Sequence, residues 1–227
     1  MSVADRNRLS LLLRLVLLLL LSVLAGGLAY AVLSLPDQAA GLSDRVGANM
    51  EASGVSNPVT AVLLNFRSYD TLLEMAVLLV ALLGVWSLGA AAVPRRVDPE
   101  PVLSILVGGL VPMMILTAGY LLWVGAAAPG GAFQAGSVLA ASGILLLLSS
   151  KHLPVRFLGW PIRTVLVLGL GVFVVVGVTL LSAGGMFLQY PPGLAGGLIL
   201  LIEAAAALSI GVTLAALFLG GRPDPEA

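Results

Sequence analysis

Three carboxylates stand in or beside long apolar runs of this chain: Asp70, Glu74 and Glu203. Arg67, Lys151 and His152 are the next candidates, basic groups beside those runs. An ionisable side chain in a bilayer costs at least about 2.5 kcal/mol unless it is paired or hydrated, so each position is a candidate for function. Arg67, Asp70 and Glu74 are spaced by three and four, which lets them share one helical face. An acid pair beside a guanidinium can hold a proton or a cation while limiting the net charge buried. The competing reading is a solvated helix start in the outer headgroup region, with Asp70 at the interface and Glu74 about one turn deeper.

Glu203 lies nine residues after Leu194, about 13 Å along a helix and so near mid-membrane. Its neighbours are Leu201, Ile202, Ala204 and Ala205. A carboxylate at that depth suits a proton relay, or a cation ligand if water reaches it. The competing reading is a protonated Glu bonded to a nearby backbone carbonyl, acting as glue between helices. His152 can exchange protons near neutral pH. The plainer reading of Lys151 and His152 is an interfacial pair at the inner end of a helix.

These groups need elements to hold them, and composition says which. Of the 227 residues, 59% are hydrophobic and 10% charged, with mean hydropathy +1.11. A soluble domain carries about a quarter charged residues, so the solvent here is lipid. The longest polar segment, 36–57, is too short for a soluble catalytic domain. No cysteine is present, which excludes disulfides, iron–sulfur ligation and thiolate chemistry. One histidine argues against a histidine-built metal site, and no cofactor is expected. Zero formal net charge gives nothing toward nucleic acid.

A spanning helix needs about 20 mostly apolar residues. Six such runs are expected, at 9–35, 71–93, 102–125, 131–150, 162–183 and 194–219. Pro94, Pro101, Pro129, Pro161, Pro191 and Pro192 punctuate their ends. The fold class is therefore all-α, a polytopic helical bundle. Arg6, Arg8, Arg95, Arg96, Lys151, Arg156, Arg163 and Arg222 all fall on one side of it, and the uncharged loops 126–130 and 184–193 on the other. By the positive-inside rule both termini are cytoplasmic and segment 36–70 is outside. The first run has a rival reading as a signal peptide ending near Ala29-Tyr30-Ala31, but its length favours a retained helix with Arg14 snorkelling to the interface.

Two motifs stand out. Segment 53–74 reads SGVSNPVTAVLLNFRSYDTLLE, in which Ser56 or Asn57 before Pro58 is a helix-start signal. Pro129-Gly130-Gly131-Ala132-Phe133 joins the third and fourth runs, and its glycines allow close packing or left-handed turns. Small residues such as Gly169, Gly177, Ala204 to Ala207 and Gly211 suit close helix packing, as in one chain set among several in a larger assembly.

Together these stretches resemble a known family. Segment 53–74 is similar to the C-terminal part of the large A subunit of Mrp-type (Mnh-type) sodium/proton antiporters, and to the small E-like subunit of membrane-bound hydrogenases. The family pattern Asp-Phe-Arg-Gly-Phe-Asp-Thr-Leu-Gly-Glu is matched here at Arg67, Asp70, Thr71, Leu72 and Glu74, while Asn65 replaces its first Asp and Leu73 its second Gly. Stretch 104–220 looks like the B subunit of the same antiporters. Pro112, Pro129, Gly130, Gly131, Phe133 and Glu203 match, but Gly125-Ala126-Ala127-Ala128 replaces a Gly-His-Asn cluster and Ala132 replaces a third glycine.

The resemblance implies a two-helix E-like region, 1–100, followed by a four-helix B-like region, 101–227. It implies a membrane subunit of a multi-subunit sodium/proton antiporter in a bacterial or archaeal cell membrane, not an enzyme by itself. Its partners would be other antiporter subunits, lipid, sodium and protons. Asp70, Glu74 and Glu203 would lie on or beside the ion path, with Arg67 compensating charge. The alternative is a structural or accessory subunit of a related respiratory complex such as a membrane-bound hydrogenase.

Overall fold

The computed structural model of the chain describes residues 3–34, 41–89, 101–149, 159–185, 187–191 and 193–220. Pro94, Arg95, Arg96, Lys151, His152, Arg156, Pro192 and Arg222, used above for orientation, proton exchange or punctuation, lie outside the described residues. Every regular element among the described residues is helical. The chain divides into two units, 1–44 and 45–227.

The first unit is built on α1 (Val3–Leu33). Its apolar run Leu12–Leu33 is 22 residues long. That is about 33 Å of rise, enough to cross a hydrocarbon core. The side chain of Arg14 on this run is exposed.

The second unit follows from α2 (Ser43–Ser53) into a short α3 (Pro58–Ala61) and a π-helical turn (Val62–Phe66). Then come α4 (Ser68–Ser87), α5 (Pro101–Val124), α6 (Ala132–Leu148), α7 (Trp160–Ser182) and α8 (Ala195–Leu219). By length and composition α1, α4, α5, α7 and α8 can cross a membrane. The expected run 131–150 forms α6, an apolar helix of 17 residues. At about 25 Å it is at the lower limit for a span. Gly131 holds its start outside helical geometry, and a turn at Ser149 ends it. The expected run 71–93 starts earlier, at Ser68, because Arg67 (φ −128°) breaks the path from the π turn just before it.

α8 is the hub of this unit, touching α4, α5, α6 and α7. Its residues Ala205, Ala206 and Ala207 are buried. Lipid supplies no hydrophobic force between helices, so small side chains that let backbones approach are what hold them. At Gly136 of α6 an added Cβ would stand 2.8 Å from the Ile210 side chain of α8. The Ser209 hydroxyl donates to the Leu166 carbonyl at 2.6 Å, joining α8 to α7. In α5, Pro112 lacks an N–H and leaves the Gly108 carbonyl without its intrahelical donor. Gly220, left-handed at φ 71°, closes α8.

Three stretches that the charge pattern assigns to one side meet at one end of this bundle. The N–H groups of Ser56 and Asn57 both donate to the Ala126 carbonyl, at 2.9 and 3.0 Å. Gly54 packs against Ala195, with no room for a Cβ between them. The ring of Tyr69 lies 5.3 Å from that of Phe187.

Candidate functional site

The site is built where α8 passes the start of α6. Glu203 points from the buried face of α8 and is only 3% exposed. Gly131, the N-cap of α6, has φ 104° and ψ −169°, a region open essentially to glycine alone. A Cβ there would fall 2.6 Å from Glu203 Oε1. The missing side chain is therefore the space that Oε1 occupies. The backbone N–H of Ala132, the first residue of α6, donates to the same carboxylate. The first N–H groups of a helix lack intrahelical acceptors and carry the positive end of its dipole, so a carboxylate from another helix caps α6 and is stabilised there. The other oxygen, Oε2, is buried without a hydrogen-bond partner among the described residues.

Beside Glu203 is a cavity of about 310 Å³. At a water's share of about 30 Å³ it has room for several waters. Glu203, Gly131 and Gln134 line one wall, and Asn57, Thr60 and Thr71 line another. Glu203 is the one titratable side chain among the lining residues.

The second wall stands because the 56–71 segment is bolted to the loop after α5. Asn57 caps α3, its Oδ1 accepting from Val59 N–H at 2.9 Å. Its Nδ2 donates to the Ala128 carbonyl at 2.6 Å. The Thr60 hydroxyl donates to the Gly125 carbonyl at 2.6 Å. The loop 125–128 thus lacks the polar side chains of the family pattern, yet its main-chain carbonyls hold the neighbouring segment in place. Further along, the π turn disturbs the regular backbone ladder, and the Thr71 hydroxyl donates to the Leu63 carbonyl at 2.6 Å.

The residues named from sequence fall into two groups. Glu203 and the motif Pro129, Gly130, Gly131 and Phe133 come together around the cavity. Arg67 and Asp70 pair with each other in an exposed ion pair at the start of α4. Glu74, one turn on, is exposed and makes no hydrogen bond or ion pair with the described residues. Asp70 and Glu74 do not line the cavity, whereas Thr71 between them does. Thr60 carried no sequence signal beyond being a hydroxyl in an apolar stretch, and Thr71 stood out only as one matched position of the family pattern, not as a cavity residue. Among the described residues no group of three or more His, Asp or Glu gathers, so a cation at this site would need neutral oxygens beside one carboxylate. In the loop before α8, burial pushes the Tyr190 phenol upward from its ordinary range, and its hydroxyl has no hydrogen-bond partner among the described residues.

The family model described as a domain related to the MnhB subunit of Na+/H+ antiporter matches residues 102–221. A second, described as the E subunit of MBH, matches residues 13–101. Among solved structures, a chain of the membrane-bound sulfane sulfur reductase, an archaeal respiratory membrane complex, is similar with 26% identity and a TM-score of 0.68, over 91% of this chain and 97% of that one. A chain of the Mrp complex from Dietzia sp. is similar in fold, with 23% identity and a TM-score of 0.65 over 98% of this chain. This chain spans 26% of the length of that one. Among curated proteins nothing matches.

Proposed function

The chain belongs to the family of domains related to the MnhB subunit of Na+/H+ antiporters, and on that footing we propose that Glu203 is the proton- and cation-exchanging group it contributes to its complex. The protein is a membrane subunit of a Na+/H+ antiporter-type complex. The observation that supports a role for Glu203 is its placement: a buried carboxylate at a helix start, beside a cavity, with one oxygen uncommitted. A proton and a cation compete for the same oxygen, and that competition couples the two flows. Asp70 and Glu74, with Arg67 compensating charge, form a second acidic site at the outer end of α4. The distribution of basic residues supports cytoplasmic termini and an outward-facing cavity end. The setting is a multi-pass position in a bacterial or archaeal cell membrane, among other antiporter subunits and lipid, with transport rather than catalysis as the activity.

A second reading is an accessory subunit of a respiratory membrane complex. It is favoured by the match to the E subunit of MBH and by the 97% coverage of the sulfane sulfur reductase chain. Purification of the tagged protein from its native host in mild detergent separates the two. Large antiporter-type subunits without redox partners are expected. Metal-containing redox subunits in the same particle would transfer the chain to the second reading, and recovery of the chain alone would overturn both.

A further inference from the structure

We propose that the cavity beside Glu203 binds a partly hydrated monovalent cation, held by the Glu203 carboxylate, the Thr60 and Thr71 hydroxyl oxygens and the Gln134 amide oxygen. The inference deepens the reading of Glu203 as an ion-handling group and rests on it.

The argument starts from the two threonines. Each hydroxyl has one hydrogen, and each spends it on a backbone carbonyl, Gly125 for Thr60 and Leu63 for Thr71, both at 2.6 Å. What remains on each oxygen is acceptor capacity only. Both residues are buried and both line the cavity. Two acceptor-only oxygens in a wall are poor hosts for another acceptor and good hosts for a hard cation, which prefers oxygen ligands. Gln134 adds a carbonyl-type oxygen on the Glu203 side. A Cβ at Gly131 would lie within 4 Å of both Glu203 Oε1 and Gln134 Oε1, so the two side chains share that corner.

The charge balance fixes the valence. Glu203 brings at most one negative charge, and the other lining residues are neutral. One monovalent cation neutralises it, whereas a divalent ion would leave a net positive charge in a buried, low-dielectric setting. The unpartnered Oε2 is the atom left to meet it. A proton alone needs only the carboxylate and gives no reason for the second wall. Irregular helix beside the site, here the π turn and the break at Arg67, is the backbone that membrane proteins tolerate where it lines a cavity.

The test uses the intact complex in membrane vesicles. A hydrophobic carbodiimide modifies membrane carboxyls, and mass spectrometry reads the modification of Glu203 by position. Sodium chloride is expected to protect Glu203, and choline chloride at equal ionic strength is not. Equal labelling in both salts would overturn the cation site while leaving a proton role for Glu203 intact. The double variant Thr60→Val with Thr71→Val is expected to raise the sodium concentration needed for protection at least tenfold, and the Thr→Ser pair to restore it. An assembled Val variant with unchanged protection would overturn the assignment of the hydroxyls. If the Val variant does not assemble, the wild-type protection result still decides. Labelling is read without antiport, so failure of the antiporter reading shows separately, as redox subunits in the particle or no sodium-driven proton movement.

Discussion

The carboxylate of Glu203 lies against the bare Cα of Gly131, in the space a side chain would fill. A residue of α8 and a residue at the start of α6 thus define each other's position. Gly131 also has a backbone conformation that costs other residues about 1–3 kcal/mol. Gly131→Ala is therefore expected to destabilise the protein by about that amount and to displace the Glu203 carboxylate from the α6 N-terminus. Thermal unfolding of the purified complex checks the first effect. Antiport in vesicles checks the second, with a loss of at least tenfold expected. Wild-type antiport in this variant would show that the fit does not matter.

Asn57 does two jobs with one amide: it caps α3 and clamps the loop after α5. Asn57→Ala removes both. Loss of the cap alone costs about 1 kcal/mol, and the Ala128 carbonyl loses its donor as well. The expected outcome is a drop in Tm together with faster hydrogen exchange at residues 56–60. Asn57→Asp keeps the cap but not the clamp, so its Tm is expected between the two.

The Arg67–Asp70 ion pair is exposed, with side chains 64% and 46% accessible. Exposed pairs contribute at most about 1 kcal/mol. Asp70→Asn is thus expected to leave Tm within a few degrees of wild type. If antiport falls sharply in the same variant, the loss belongs to ion handling and not to folding. A large drop in Tm would contradict the exposed placement.

Tyr190 sets an alkaline limit. Burial favours its neutral phenol in the folded protein, while an unfolded tyrosine ionises near pH 10. Above that pH the folded state binds more protons than the unfolded one, so stability falls as pH rises. Below it the contribution is constant. Tyr190→Phe removes the unpartnered hydroxyl and the titration together. It is expected to match or exceed wild-type Tm at neutral pH and to flatten the decline above about pH 10. A steep alkaline decline that persists unchanged would assign it to other groups.

Much of this architecture was legible in the chain because lipid imposes a simple rule: long apolar runs become helices. The runs at 102–125 and 194–219 emerged within a residue or two as α5 and α8. Glu203 stood out as a carboxylate among leucines and alanines, and Pro129-Gly130-Gly131 as a turn. That the two touch was not legible, because contact between α8 and α6 depends on packing of small residues such as Gly136 that look alike along the chain. The second wall was hidden for another reason. It is held by main-chain carbonyls of Gly125, Ala126 and Ala128, and a main chain has no sequence signature. The π turn and the Thr71 bond that accompanies it were equally silent.

The most direct measurement is sodium-driven proton movement in vesicles carrying the complex with Glu203→Gln. Glutamine keeps an amide oxygen to accept from Ala132 and cap α6, but it cannot carry the charge. Normal assembly with antiport reduced at least tenfold is the predicted result. Normal assembly with wild-type antiport would contradict the account and leave Glu203 as a helix cap alone.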